Sequence, residues 1–439
     1  MSERTATEVE GIRVPGDKSL SHRALMLAPL ARGTSRIRGI LDADDVRSTA
    51  GCLRTLGARV PEDWSGEVEV PGPAELHDAS EDLDCGNSGT TARILSGIIA
   101  GLGVEARLDG DASLRRRPME RIVYPLQAMG AKIDYEGEEG HLPFRIHSRA
   151  TGSLRTMRHI PKVASAQVKS CMLLAGLAGG VRMEVVEPGR SRDHTERLLE
   201  AMGAPVEYHP VGEDAPLDEG THVTLDPEGW DGRLEPLDFD VPGDLSSAAF
   251  LAVAALAAGR PIRLPGVGLN PTRSGFLDVI RRAGARVEVH DERSSCGEPR
   301  GDLRVEAGEL RPFRVEPAEI PTLLDEVPAL VALAARIPGE SEIRGAEELR
   351  VKESDRLALL AENLDGLGVD VEEREDGLRV SGSEEPLRGS VRTGGDHRIA
   401  MAFGALSELP ANRIEFDDRE CVGVSYPGFW EDVRRAVGG

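Results

Sequence analysis

Leu56-Gly57-Ala58-Arg59-Val60 reads as a helix end running into a strand start. Glycine accepts the left-handed backbone that stops a helix, and a β-branched residue close behind favours an extended chain. The phrase returns as Met129-Gly130-Ala131-Lys132-Ile133, Met202-Gly203-Ala204-Pro205-Val206, Ala283-Gly284-Ala285-Arg286-Val287 and Leu367-Gly368-Val369-Asp370-Val371, with a last echo at Val437-Gly438. The glycines stand 73, 73, 81, 84 and 70 residues apart, a period that marks internal repetition.

Ahead of each stop lies a matching first half. Polar or small-residue helix starts occur at Gly16-Asp17-Lys18-Ser19, Gly86-Asn87-Ser88-Gly89-Thr90, Ala164-Ser165-Ala166-Gln167, Gly243-Asp244-Leu245-Ser246 and Gly395-Asp396-His397-Arg398. Leu324-Asp325-Glu326-Val327-Pro328 is the weakest copy. Short strands are expected near 36–40, 104–109, 182–186 and 261–264. The first helix of each copy is apolar all round (94–100, 171–178, 250–258, 330–335), which predicts burial on every side. The second helices (47–56, 118–129, 195–202, 272–283, 354–367) are amphipathic. The expected fold class is α/β: six βαβαββ-like units, three in each of two similar domains, with buried helices inside and sheets outside. That is an inside-out α/β barrel. Six helix starts converging on a cleft between the domains would gather positive potential there.

The chain has 439 residues, 40% apolar and 29% charged, as in ordinary globular proteins. A net charge of −23 argues against a nucleic-acid or anionic-membrane surface. The N-terminus Met1-Ser2-Glu3-Arg4-Thr5 lacks a signal-peptide core, and no apolar run reaches membrane-spanning length. The five cysteines have no C-x-x-C spacing, so a cytoplasmic chain with reduced thiols and no metal site is expected. A lone His194 does not alter that. Only five of the 53 basic residues are lysines (Lys18, Lys132, Lys162, Lys169, Lys352). Where Arg is the default, a retained Lys marks a need for a compact, proton-donating cation.

Several helix starts carry anion-binding chemistry. In Pro15-Gly16-Asp17-Lys18-Ser19-Leu20-Ser21-His22-Arg23, Asp17 can cap while Lys18 and Ser19 occupy the first turn. Ser19 and Arg23, four apart, share a face. Gly89 permits close backbone approach. Asp111-Ala112-Ser113-Leu114-Arg115-Arg116-Arg117-Pro118 sets three arginines before a helix that Pro118 can begin. Ser165 and Lys169 share a face. Arg350-Val351-Lys352-Glu353-Ser354-Asp355-Arg356 is the densest charge cluster, with Lys352 and Arg356 expected on one helical face beside Glu353. Asp325, flanked by Leu323-Leu324 and Val327, reads as a base with a raised pKa in apolar company, or as a helix cap. Neither a Walker-type loop nor a dinucleotide fingerprint is present, so no cofactor is expected. Several anion sites point to substrates bearing phosphate and carboxylate.

In order along nearly the whole chain, Gly16-Asp17-Lys18-Ser19 with Arg23, Gly86-Asn87-Ser88-Gly89-Thr90, Arg117-Pro118, Ser165-Ala166-Gln167-Val168-Lys169, Arg192-Asp193-His194-Thr195-Glu196, Asn270-Pro271-Thr272-Arg273, Lys352-Glu353-Ser354-Asp355-Arg356 and Asp396-His397-Arg398 resemble the 5-enolpyruvylshikimate-3-phosphate synthase family, in its class II form. The resemblance implies a domain made of residues 1–15 and 241–439, a second of 16–240, and an active site in the cleft between them. It implies transfer of the enolpyruvyl group of phosphoenolpyruvate to the 5-hydroxyl of shikimate 3-phosphate, releasing phosphate, in aromatic amino-acid biosynthesis. By motif position, Lys18, Ser19, Arg23, Ser165, Ala166, Gln167, Arg192, Asp325 and Lys352 would hold shikimate 3-phosphate. Lys18, Gly89, Arg117, Gln167, Arg356 and Arg398 would hold phosphoenolpyruvate. Asp325 would take the hydroxyl proton, Glu353 protonate the methylene carbon, and Lys18 assist the leaving phosphate. The resemblance also implies a target of glyphosate, and a monomer is expected because no long exposed apolar face calls for a partner. Val424 stands where many members carry a further lysine, and Arg115 or Arg116 could replace that charge. The sister transferase acting on UDP-N-acetylglucosamine is disfavoured, because none of the five cysteines sits in a reactive loop.

Overall fold

The computed structural model describes residues 8–150, 152–208 and 220–438; the N-terminal Met1–Thr5 reading falls outside them. The chain divides into two compact units. One comprises the stretch ending at Pro15, Pro242–Arg293 and the stretch from Pro299 onward; the other comprises Gly16–Val241 with Ser294–Glu298. Twelve α-helices occur among the described residues. Six belong to the second unit: α1 (Lys18–Leu27), α2 (Asp44–Thr55), α3 (Gly89–Leu102), α4 (Glu120–Met129), α5 (Ala166–Gly179) and α6 (His194–Ala201). Six belong to the first: α7 (Leu245–Ala257), α8 (Gly275–Arg282), α9 (Val327–Ala334), α10 (Arg356–Gly366), α11 (His397–Ser407) and α12 (Phe429–Val437). The protein is of mixed α/β class.

The local reasons are visible at each helix end. Gly57, Gly130, Gly203, Gly284, Gly368 and Gly438 all take positive φ, between 74° and 106°. A Cβ there is strained, so these positions end their helices and turn the chain. Asp17, Ser88, Ser165, Asp244, Asp355 and Asp396 each cap a helix start by accepting a backbone N–H.

Strand pairing follows one plan. In four sheets the strand entering an odd-numbered helix lies parallel to the strand leaving it. Leu83–Asp84 pairs with Ala106–Asp109 around α3, and Met157–His159 with Met183–Glu187 around α5. Arg314–Val315 pairs with Gly339–Ile343 around α9, and Arg388–Val391 with Arg413–Phe416 around α11. Parallel neighbours require such a crossover. At the chain crossings the entering strand comes from elsewhere. Asp238–Asp240 lies parallel to Gly33–Arg38 after α1, and Val9 bridges Ile262 after α7. The second unit therefore closes its first sheet with its own last strand, and the first unit takes a single bridge from the N-terminal stretch, which makes it discontinuous.

Each unit has its own apolar core. Every residue of α7 from Leu245 to Leu256 is buried, whereas α12 buries only Phe429, Val433 and Ala436, one stripe at i, i+4, i+7. Among the described residues, no helix is long and apolar enough to cross a membrane. In the second unit α3 and α5 meet backbone to backbone: a Cβ on Gly97 would lie 2.1 Å from the Cys171 carbonyl oxygen, and one on Gly101 2.8 Å from that of Ala175. Gly97→Ala is thus expected to force the helices apart and lower stability by about 1–3 kcal/mol. Thermal denaturation reads this directly, and an unchanged midpoint would refute the packing argument.

Candidate active site

In the second unit the polar residues gather at the starts of α1, α3 and α5. Asp17 Oδ1 caps α1 through the Leu20 amide (2.9 Å), leaving Lys18 in the first turn, ion-paired with the buried Asp45. Arg23 lies one turn on and is buried. Its Nε donates to Thr195 Oγ1 (2.7 Å), one terminal nitrogen to Ser170 Oγ (2.9 Å) and the other to the Ser19 carbonyl (3.1 Å). Burial is the main cause that pulls this guanidinium down to about 10, with Arg192 adding repulsion. His22 accompanies it in the core, bonded to Thr49 (2.7 Å); burial and the charges of Lys18 and Arg23 hold the ring well below its usual range.

Ser165 caps α5 through the Val168 amide, which places Ala166 and Gln167 in the first turn. Gln167 is held at both ends: Arg93 donates to its Oε1 (2.8 Å), and its Nε2 donates to Thr90 Oγ1 (3.1 Å). Gly89, first residue of α3, borders the same cations. A Cβ there would lie 2.9 Å from Arg93 Nη1 and 3.5 Å from Arg117 Nη1. Arg117 is buried and donates to Asn87 Oδ1, while Asn87 Nδ2 donates to Asp111 (2.6 Å). Arg192, half-buried, lies between two buried residues, Ser191 and Asp193.

In the first unit the centre is Arg356, buried at the first position of α10. It donates to Asp396 through Nε (2.8 Å) and to Glu353 through Nη2 (2.6 Å), with Asp325 at 3.7 Å. Arg398 reaches the same aspartate, 2.8 Å from its carbonyl and 3.6 Å from its carboxylate. Burial opposes the charge on Arg356, but Asp396, Glu353 and Asp325 outweigh it and raise the guanidinium further. Lys352 pairs with Glu348 at 3.2 Å. The unit thus joins Asp325, Glu353, Arg356 and Arg398 in one cluster.

Five expectations need correction. Asp325 is not in apolar company. Its turn is a 3₁₀ helix (Leu324–Glu326) with three residues per turn, so Leu323 and Glu326 point into the core together. Asp325 is left half-buried against two guanidiniums. Glu326 is the carboxylate fully buried there, bonded to Ser246 and to Arg273 (3.1 Å). Lys352 and Arg356 do not share a helical face: Asp355 caps α10 through the Ala358 amide (3.0 Å), so Lys352 and Glu353 lie in the bend before it. Pro118 does not begin α4. Extended backbone at Arg117 (ψ 140°), as the residue before a proline prefers, and a Met119 amide bound to the Gly140 carbonyl (2.7 Å) delay the helix to Glu120. Likewise Thr272 sits in a turn closed by Asn270 Oδ1 (2.9 Å), and α8 starts at Gly275. Arg115 is taken by Asp109, with two bonds of 2.7 Å, and points to solvent.

Sequence reading gave no role to five residues that hold these side chains: Asp45, Thr195, Ser170, Arg93 and Asp396. Only Arg93, one turn after Gly89, and Asp396, a cap beside Arg398, carried a local signal. His194 donates to buried Glu298 (2.8 Å) and Asp193 pairs with Arg197 (2.9 Å). These two acids and His194 are metal-type ligands within 4.8 Å of one another, but each is engaged in pairing.

Helix-start cations, hydroxyls and paired carboxylates are the equipment of a transferase acting on small anionic substrates. The family model for EPSP synthase (3-phosphoshikimate 1-carboxyvinyltransferase) matches residues 4–433. The chain is 44% identical over 428 residues to the 3-phosphoshikimate 1-carboxyvinyltransferase of Salinibacter ruber, covering 97% of this chain and 96% of that one. It is 45% identical over 430 residues to that of Synechococcus sp. WH7803, covering 97% and 95%. A solved EPSP synthase from Acinetobacter baumannii superposes with a TM-score of 0.84 at 36% identity, over 98% of this chain and 96% of that one. The chain belongs to the EPSP synthase family.

Proposed function

We propose that the residues gathered in the two units perform the family's reaction in the following way. The chain moves the enolpyruvyl group of phosphoenolpyruvate to the 5-hydroxyl of shikimate 3-phosphate and releases phosphate, a step of the shikimate pathway. The observation that carries the assignment of roles is the Asp325–Arg356–Glu353–Arg398 cluster, because it joins two proton-handling carboxylates to two cations suited to a phosphate and a carboxylate. In this reading Asp325 accepts the 5-hydroxyl proton as the oxygen attacks C2 of phosphoenolpyruvate, and Glu353 delivers a proton to C3. Glu353 then takes a proton back from C3 as the C–O bond to phosphate breaks, which restores the double bond. Lys18 donates to the departing phosphate. Arg356, Arg398, Arg117 and Gln167 hold phosphoenolpyruvate beside Gly89. Ser19, Arg23, Ser165, Ala166, Gln167, Arg192 and Lys352 hold shikimate 3-phosphate. Fixed cations already in place stabilise the charge of the tetrahedral intermediate without reorganising.

The buried α1, α3 and α5 in one unit, and α7, α9 and α11 in the other, support the inside-out α/β reading with three repeats in each. The protein is read as a cytoplasmic monomer that needs no cofactor. Calorimetric titration with shikimate 3-phosphate tests the site; absence of binding at millimolar ligand would defeat the assignment.

Gly89 supplies a second test. An added methyl presses on Arg93 and comes into van der Waals contact with Arg117, whose guanidiniums border the proposed phosphoenolpyruvate site. Gly89→Ala is expected to raise the KM for phosphoenolpyruvate several-fold and to weaken inhibition by glyphosate, with the KM for shikimate 3-phosphate nearly unchanged. Equal glyphosate inhibition of variant and wild type would sink the crowding argument.

A further inference from the structure

The second unit buries a charged triad that the mechanism does not use. Lys169 lies inside α5 and is 1% exposed; Glu187, at the end of the strand Met183–Glu187, is 2% exposed, and Glu196 on α6 is 1% exposed. The Lys169 ammonium is 2.9 Å from Glu187 Oε2 and 2.8 Å from Glu196 Oε1. Burial alone would lower this lysine, but the charges of Glu196 and Glu187 raise it. The two acids differ. Burial pushes Glu196 up, whereas for Glu187 the Lys169 charge and a set of donors outweigh burial and hold it low.

Those donors give Glu187 its interest. The Ser165 amide donates to Oε1 (2.7 Å); Ser191 Oγ (2.6 Å), Thr221 Oγ1 (3.0 Å) and Lys169 donate to Oε2. A carboxylate has about four acceptor positions, so the group is saturated. Ser165 caps α5 beside Ala166 and Gln167, and Ser191 immediately precedes Arg192. We infer that Glu187 is a positioning residue for acceptor-substrate binding, setting the α5 start and the Ser191–Arg192 segment in mutual register. The inference rests on the reading that Ser165 and Arg192 hold shikimate 3-phosphate. Lys169 keeps the carboxylate charged in a place where an isolated charge would not survive.

The isosteric amide is the informative change. In Glu187→Gln one end of the side chain is an NH₂ group that cannot accept. If the carbonyl faces Ser165, the NH₂ meets the Lys169 ammonium, which can only donate, while Ser191 and Thr221 must turn their hydroxyls to accept; if it faces Ser191, the NH₂ meets the Ser165 amide. In either orientation a donor-only neighbour, the Lys169 ammonium or the Ser165 amide, loses its acceptor, while size and shape are kept.

The test measures shikimate 3-phosphate affinity by titration calorimetry, and both KM values and kcat by phosphate release, in wild type, Glu187→Gln, Ser191→Ala, their double variant and Arg192→Ala. Glu187→Gln is expected to weaken shikimate 3-phosphate about tenfold or more, a charge-assisted bond being lost, and to move the KM for phosphoenolpyruvate far less. Ser191→Ala, which leaves the ion pair intact, gives a smaller loss in the same direction and keeps the experiment decisive if Glu187→Gln folds poorly. In the double variant the two losses do not add, because Glu187 and Ser191 act through one shared contact. Lowered thermal stability with unchanged acceptor affinity in Glu187→Gln and Ser191→Ala, alongside weakened binding in Arg192→Ala, overturns the positioning role alone. Unchanged affinity in Arg192→Ala overturns the site reading, and the role of Glu187 with it.

Discussion

Asp325→Asn is expected to lower kcat about 10²–10⁴-fold, the usual worth of a positioned general base. The amide matches the carboxylate in size and still accepts a hydrogen bond from a guanidinium, but it cannot take the hydroxyl proton. The change also removes one negative charge from the cluster around Arg356 and Arg398. Asp325 is half-buried, and Arg356 keeps Asp396 and Glu353, so the thermal midpoint should move little. Steady-state phosphate release and a melting curve on the same preparation separate the two effects. A kcat within threefold of wild type would remove Asp325 from the role of base.

Arg356→Met is expected to cost about 3–5 kcal/mol of stability, because it breaks a buried ion pair by deleting one partner. Asp396 is 0% exposed and would keep Ser354 Oγ and the Arg398 amide as donors but lose its charged partner. Glu353 would lose its 2.6 Å partner, so the proposed proton donor is held less firmly as well. Activity should therefore fall even at temperatures where the variant remains folded. Arg356→Lys keeps the charge but not the planar fork that meets Asp396 and Glu353 together, and should recover stability only in part. Adding Asp396→Asn to Arg356→Met should restore some stability, by removing the unpaired buried charge, without restoring activity. Chemical denaturation of the four proteins reads the ladder. A cost below about 1 kcal/mol for Arg356→Met would mean that the pair contributes like an exposed one.

Much of the secondary structure was legible because it is local. Each helix stop needs a residue that tolerates positive φ, and glycine announces it. Burial of the odd-numbered helices was legible too, since an apolar residue on every face leaves no side for water. Boundaries slipped where a second local rule intervened, as at Asp355, where capping moved the helix start past Lys352 and Glu353. The sheet closure at the chain crossings was hidden, because a three-residue strand such as Asp238–Asp240 carries no pattern that names its partner. So was the hairpin tip Ser294–Glu298, which brings Glu298 to His194.

The candidate site divides along the same line. Residue types at helix starts were enough to nominate Lys18, Arg23, Glu353, Arg356 and Arg398, because caps, free amides and i, i+4 neighbours are set within one turn of chain, whereas Gln167 was named only through the family resemblance. What surrounds them was not. Arg23 finds its hydroxyl partner 172 residues away, and Asp325 meets a cation on α11 rather than its apolar sequence neighbours. The sequence by itself determined where the chain turns, which helices hide and which polar groups stand at their starts. Tertiary structure alone decided which buried charges face one another, since that depends on contacts across long chain separations that no local pattern encodes.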